Sequence, residues 1–196
     1  MSNTNPLSEK DVAASIADFE VKRLLRTMLA GNTMQEEAGA GSSTGVGTIL
    51  RSSVTKDNGV IKTSILIDLT GLASSTTDLD IIGVGTSPAH LGRVTVARSG
   101  TLFGGLMTCL EVPAGGVTDI DLYSANEGTG IFDGGIAALT ETALITAGGA
   151  WTLALEKAIA QPAATDQYLY LTCGTLGTAA TYTSGKFLIE LYGYDA

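Results

Sequence analysis

Two short acidic runs, DLD at 78–80 and DID at 119–121, are the residues of this chain whose type and spacing best suit chemistry. Side chains alternate along an extended segment, so Asp78 and Asp80 share one side with Leu79 opposite, and Asp119 and Asp121 share one side with Ile120 opposite. Two such pairs brought together would offer Ca2+ the hard oxygen ligands it takes. The plainer reading, and the favoured one, is a solvated strand edge whose charge discourages edge-to-edge pairing. His90, the one histidine, follows a Pro-containing turn in SPAHLGR and is read as a loop or packing residue rather than a member of a catalytic triad. With neither HExxH nor a Cys/His cluster, no zinc site is expected. GAGSSTG (39–45) lacks a preceding strand and a Walker lysine, and Gly185-Lys186 lacks the rest of a phosphate loop, so these are linker and turn glycines. Cys109 and Cys173 are expected as buried free thiols. This inventory points away from an enzyme and implies no cofactor.

The elements that would position these residues fall into two regions, 1–48 and 49–196. The first holds SEKDVAASIADFEVKRLLRTMLAGN, where Ser8 can cap and apolar residues recur at helical spacing. Acids lead, bases follow, and Gly31-Asn32 supplies the stop, so an N-terminal α-helix is expected. The Gly/Ser-rich stretch 34–48 then reads as a flexible or extended linker, which makes the helix an arm. From Val46 onward the pattern is short strands: 60–69, 79–85, 93–99, 102–112, 119–125, 167–173 and 186–194. Asp57-Asn58-Gly59 is a turn signal ahead of the first. In 136–164, strands are expected at 141–147 and 150–156, with a short helix after Asp133. Strand-sized runs mostly without helical crossovers argue an all-β fold, an antiparallel β-sandwich or jelly roll. Within GKFLIELYGYDA (185–196), Phe187, Ile189 and Leu191 lie on one face and Leu188, Glu190, Tyr192 and Tyr194 on the other. Both faces therefore want cover, and the segment is expected as an internal strand paired with QYLYLTC (167–173).

The chain of 196 residues is 44% hydrophobic and only 16% charged, so its surface is poor in charge and a neighbouring subunit is expected to cover part of it. Residues 1–62 hold seven acids and seven bases and residues 63–196 hold thirteen acids and four bases, so the whole net charge of −9 falls on residues 63–196. An acidic body repels phosphate, and neither nucleic acid nor an anionic membrane is an expected partner. The N-terminus has no secretory-signal pattern and no stretch reaches membrane-span length, so synthesis in a cytoplasm is expected.

Three stretches carry a resemblance: IDLTGLASSTTDLDIIG, LMTCLEVPAGGVTDIDLYSA and DQYLYLTCGTLGTAATYTSGKFLIELYGYDA. Over about residues 60–196 the chain resembles a family of virion structural proteins of tailed bacteriophages, especially marine ones. The resemblance implies a β-rich virion component, looks more like a head decoration (cement) protein than the shell protein itself, and transfers no functional residue.

The expected function is therefore capsid decoration on the phage head surface. The expected partners are the major capsid protein and further copies of the chain, with a trimer favoured. Phe19, Leu24, Leu25 and Met28 of the N-terminal helix are the candidate interface residues, docking in a groove of an adjacent subunit. The alternative is a tail-, spike- or fibre-associated module binding host glycans, for which Trp151, Tyr168, Tyr170 and Tyr182 are the available stacking aromatics.

Overall fold

The computed structural model describes residues 37–194 except 147 and 178. The expected N-terminal helix, with Phe19, Leu24, Leu25 and Met28, lies outside the described residues. Among the described residues, eleven strands run in chain order as β1 (Ile49–Asp57), β2 (Val60–Asp68), β3 (Ala73–Ser74), β4 (Gly92–Arg93), β5 (Thr101–Ala114) and β6 (Ile120–Ala125). They continue as β7 (Glu141–Ile145), β8 (Glu156–Ala158), β9 (Tyr168–Cys173), β10 (Ala180–Thr181) and β11 (Ser184–Tyr194). Two single-turn helices, α1 (Ala40–Ser43) and α2 (Val96–Ser99), and a 3-10 turn at Ile136–Ala138 complete the list.

All pairings are antiparallel. One sheet has the order β1-β2-β11-β5-β8, a second β4-β9-β6-β7, and β10 pairs with β3. The β1–β2 hairpin turns on Asn58 (φ 48) and Gly59 (φ 80), the two left-handed residues that a two-residue hairpin loop demands, as the Asp57-Asn58-Gly59 signal implied.

The two larger sheets share one core. Ile65, Ile67, Met107, Cys109, Phe187, Ile189 and Leu191 come to it from the five-stranded sheet, and Ile120, Leu122, Leu169, Leu171 and Cys173 from the four-stranded one. Trp151 fills this core edge-on to Phe187, ring centroids 5.2 Å apart, with its Nε1–H donating to the Ile120 carbonyl at 2.8 Å. A smaller cluster of Ile81, Ala89, Tyr123, Ala125, Ile136 and Tyr170 covers the opposite face of the four-stranded sheet.

The strand expected to pair with QYLYLTC instead lies in the other sheet. β11 sits between β2 and β5, while β9 pairs with β6 and β4. Only one face of β11 is deeply covered: Phe187, Ile189 and Leu191 are buried, whereas Lys186, Leu188, Glu190 and Tyr192 are half-buried on the outer face. There Lys62 pairs with Glu190, and Lys186 bridges Asp68 (3.2 Å) and Glu111. These charges suit an antiparallel sheet with one wet side.

Four other segments depart from expectation. The stretch read as a linker is packed on the body from residue 37, and Gly39 and Gly41 donate to the carbonyls of His90 and Pro88. A Cβ on Gly39 would lie 2.1 Å from the Pro88 oxygen, so glycine there serves close backbone contact. Residues 79–85 make isolated bridges beside β9 instead of a strand, and 93–99 splits into β4 and α2. The expected strand at 150–156 is mostly irregular, with a turn at 153–154 where Ala154 is left-handed (φ 61), after the Gly148-Gly149 break.

Candidate functional site

The feature with chemical potential lies on the outer face of the four-stranded sheet. Alternation along β6 sends Ile120 and Leu122 into the shared core, so Asp119, Asp121 and Tyr123 face the other way. Along β9, Leu171 and Cys173 go to the core, and Tyr170, Thr172 and the following Gly174 face the same way as the two aspartates. Cross-strand register sets Asp121 opposite Thr172, and the Gly174 N–H donates to the Asp119 carbonyl at 2.8 Å, so Asp119 stands opposite Gly174. The four positions form a square.

Both carboxylates turn toward Gly174. A Cβ built there would meet Oδ1 of Asp119 at 2.8 Å and Oδ1 of Asp121 at 2.9 Å. The two oxygens therefore both lie against Gly174. Asp119 is 6% exposed and Asp121 4%. Oδ1 of Asp119 has no hydrogen-bond partner, and neither has the buried Oγ1 of Thr172. Gly174 does not have a left-handed φ, so its place is explained by the room it leaves rather than by backbone freedom. The loops flanking the pair, 115–118 and 175–177, line an open cleft of about 320 Å³. Next along the face, the Tyr123 hydroxyl is held above the ordinary phenol range by burial and by Asp121, Glu141 and Asp78.

The other acidic pair behaves differently. Leu79 is left-handed (φ 65), which breaks the extended geometry that would align Asp78 with Asp80. Asp80 is buried and accepts from the Ser75 hydroxyl at 2.5 Å, whereas Asp78 is exposed at the rim. Hence the structure joins Asp119 to Asp121 and does not add Asp78 and Asp80 as a second matching pair. Among the described residues, no three His, Cys, Asp or Glu side chains converge as a metal-binding group.

His90 packs in the second cluster, its ring tilted 4.8 Å from that of Tyr168, and burial lowers its pKa. Its Nδ1 has no partner. Cys109 and Cys173 are buried free thiols, and burial first, then the nearby Asp80, Asp78 and Asp133 charges, pushes the Cys173 thiol up. Trp151, Tyr170 and Tyr182 are at most 1% exposed, so they cannot stack on a sugar; of the four aromatics considered for glycan contact, Tyr168 alone is partly accessible. Sequence reasoning missed Thr172 and Gly174, whose relation to the DID pair exists only through strand register.

A third feature is an apolar edge. β8 pairs with β5 only at Leu106–Thr108, while Phe103, Leu110 and Val112 on β5 remain exposed, as does Leu153, whose neighbour Ala154 donates its N–H to the Cys109 carbonyl at 2.8 Å. Phe103 is 55% exposed and stacks on Tyr192 with centroids 6.5 Å apart. Comparison with protein-family models, with curated proteins and with solved structures finds nothing that matches this chain.

Proposed function

We propose that this chain is a structural component of a tailed-phage virion, a decoration (cement) protein that binds the head shell from outside and ties neighbouring capsomers together. The carrying observation is the set of exposed apolar side chains on β5, Phe103, Leu110 and Val112, with exposed Leu153 on the segment that bonds to the Cys109 carbonyl. Large apolar side chains gathered along one strand edge suit a subunit contact, since isolated ones scatter over ordinary surfaces. The phage-like resemblance supports the same reading: LMTCLEVPAGGVTDIDLYSA covers most of β5, its following turn and β6, and AATYTSGKFLIELYG holds β10 and most of β11. In this reading the two sheets are the jelly-roll body, and the major capsid protein and two further copies are its partners. Many copies with modest interfaces resist internal pressure by avidity. Phe19, Leu24, Leu25 and Met28 form the helical arm that docks on an adjacent subunit, and catalysis has no part in the function.

The test is co-sedimentation of the full chain with expanded shells assembled from the major capsid protein, followed by imaging of the decorated shells. Stoichiometric binding at a local symmetry position is expected, with loss of binding in Phe103→Glu/Leu110→Glu and in a chain lacking residues 1–34, both still folded by circular dichroism. An intact virion in which this chain is found in the tail would overturn the assignment.

A further inference from the structure

We infer that the outer edge of β1 pairs with the same edge of a second copy of this chain, across a two-fold axis at Val54, joining two five-stranded sheets into one. β1 stands at one end of its sheet with β2 as neighbour, and among the described residues no backbone bond reaches its other side. The other edges of the two larger sheets are short: β8 has three residues, β4 two and β7 five. β1 has nine, in unbroken register with β2 from Ile49–Asp68 to Asp57–Val60, and holds neither proline, glycine nor bulge. Proteins ordinarily blunt a long straight edge with such devices, because its bare N–H and C=O groups are a template for another strand.

The phase of the hydrogen-bond ladder fixes which groups face outward. Across the two-residue turn the Asp57 carbonyl faces Val60, so Asp57, Thr55, Ser53 and Arg51 direct their main-chain groups at β2. The Leu69 N–H donates to the Gly185 carbonyl at 2.8 Å, in step with the β2–β11 register. Odd-numbered residues of β2 therefore bond β11 and even-numbered ones bond β1, which gives the same assignment. Ser52, Val54 and Lys56 thus turn their N–H and C=O groups away from the sheet. An antiparallel copy can bond only where outward residues meet outward residues. With Val54 opposite Val54 of the copy, Ser52 meets Lys56 and Lys56 meets Ser52, which makes about six main-chain hydrogen bonds.

Charge selects this register among the allowed ones. It sets exposed Arg51 opposite exposed Asp57 of the copy, twice by symmetry, with Ser53 opposite Thr55 between them. The neighbouring allowed registers, centred on Ser53 or Thr55, set Arg51 opposite Thr55 or Gly59 instead. On the face that Leu50 turns to the core, half-buried Val54 covers Val54 of the copy, and Lys56, the one charged side chain of β1 on that face, stands opposite a serine. Unlike charges and β-branched pairs directly opposed are the contacts that stabilise antiparallel neighbours. The apolar β5 side chains assigned to shell binding lie toward the opposite edge of the same sheet, next to β8, so the two contacts do not compete and this one stands without the shell reading.

The test is sedimentation velocity on the full chain across the micromolar range, where a reversible association step is expected. Val54→Pro deletes an outward N–H and none that β2 uses, a place where an edge strand tolerates proline. It is expected to weaken the step at least about tenfold with the melting temperature nearly unchanged. Arg51→Asp places like charges opposite each other at both ends of the contact and should weaken the step several-fold, while Arg51→Asp/Asp57→Arg should restore it. Hydrogen exchange followed by NMR reads the unaltered chain, so the inference stays open to refutation should Val54→Pro fail to fold. The amides of Ser52, Val54 and Lys56 are expected to exchange fast in dilute solution and slowly in concentrated solution, with those of Ser53 and Thr55 slow in both. An association step that Val54→Pro and Arg51→Asp both leave unchanged, or fast exchange at Ser52, Val54 and Lys56 at every concentration, would overturn it.

Discussion

Replacing Ile189 by alanine tests the one-sided burial of β11 against its neighbour Leu188. Ile189 lies between Ile65 on β2 and Met107 on β5, all three fully buried, while Leu188 lies between Leu66 and Thr108 on the half-open outer face. Ile189→Ala removes three carbon groups from the core, each worth about 0.8 kcal/mol of transfer free energy, and leaves a cavity that adds roughly another 1 kcal/mol. The expected loss is therefore about 3–4 kcal/mol. Leu188→Ala, at a site that keeps solvent contact, should cost about 1 kcal/mol or less. In urea, with a slope of about 2 kcal/mol per M, the first variant should lower the unfolding midpoint by about 1.5 M and the second by no more than about 0.5 M, with slopes unchanged. Equal midpoints for the two variants would refute the argument, because they would mean that both faces of the strand are packed alike.

Trp151→Phe should lower the melting temperature by roughly 5–10 °C in differential scanning calorimetry, since it deletes the indole donor to the buried Ile120 carbonyl and opens space against Phe187. Burial pushes the Tyr170 phenol up to about 12, and its hydroxyl donates to the Glu127 carbonyl. The unfolded chain thus ionises first: this contribution, about 2–3 kcal/mol, is present below the ordinary phenol value near 10 and lost as pH rises from there through about 12. Stability measured against pH should accordingly fall over that window, less steeply in Tyr170→Phe. His90 acts at the other end, for burial lowers its pKa, so its contribution is present above pH about 6.5 and declines as pH falls further; His90→Gln should flatten that limb.

Much of the strand pattern was legible because alternation is a local property. The β-branched and aromatic runs of β2, β5, β6, β9 and β11 each show which residues share a face, and the Asp119–Asp121 pair was readable for that reason. β1 escaped notice because ILRSSVTKD is mostly polar and exposed, an edge strand held by its hairpin rather than by burial. The apolar run DIIGVG reads like a strand, yet left-handed Leu79 bends its entry and its backbone bridges to β9 and to residue 135 in isolated bonds. Partner choice was not legible at all. Nothing local to KFLIELYGY or QYLYLTC specifies that they enter different sheets, and the same non-local register hid Thr172 and Gly174 from the acidic pair.

The position of β11 also sets a timetable for synthesis. Residues 184–194 form the middle strand of a sheet whose neighbours, β2 and β5, leave the ribosome more than a hundred and about seventy residues earlier respectively. The β1–β2 hairpin can close at once, but β2 and β5 must wait as separate half-sheets, each with an unpaired edge and an uncovered apolar face. Long-range closure of this kind is slow, and waiting edges invite pairing with another nascent chain. A protein needed in many copies at the same moment would be most exposed to that hazard during its own production, so yield should respond to translation speed and chaperone supply more sharply than the stability of the finished fold would suggest.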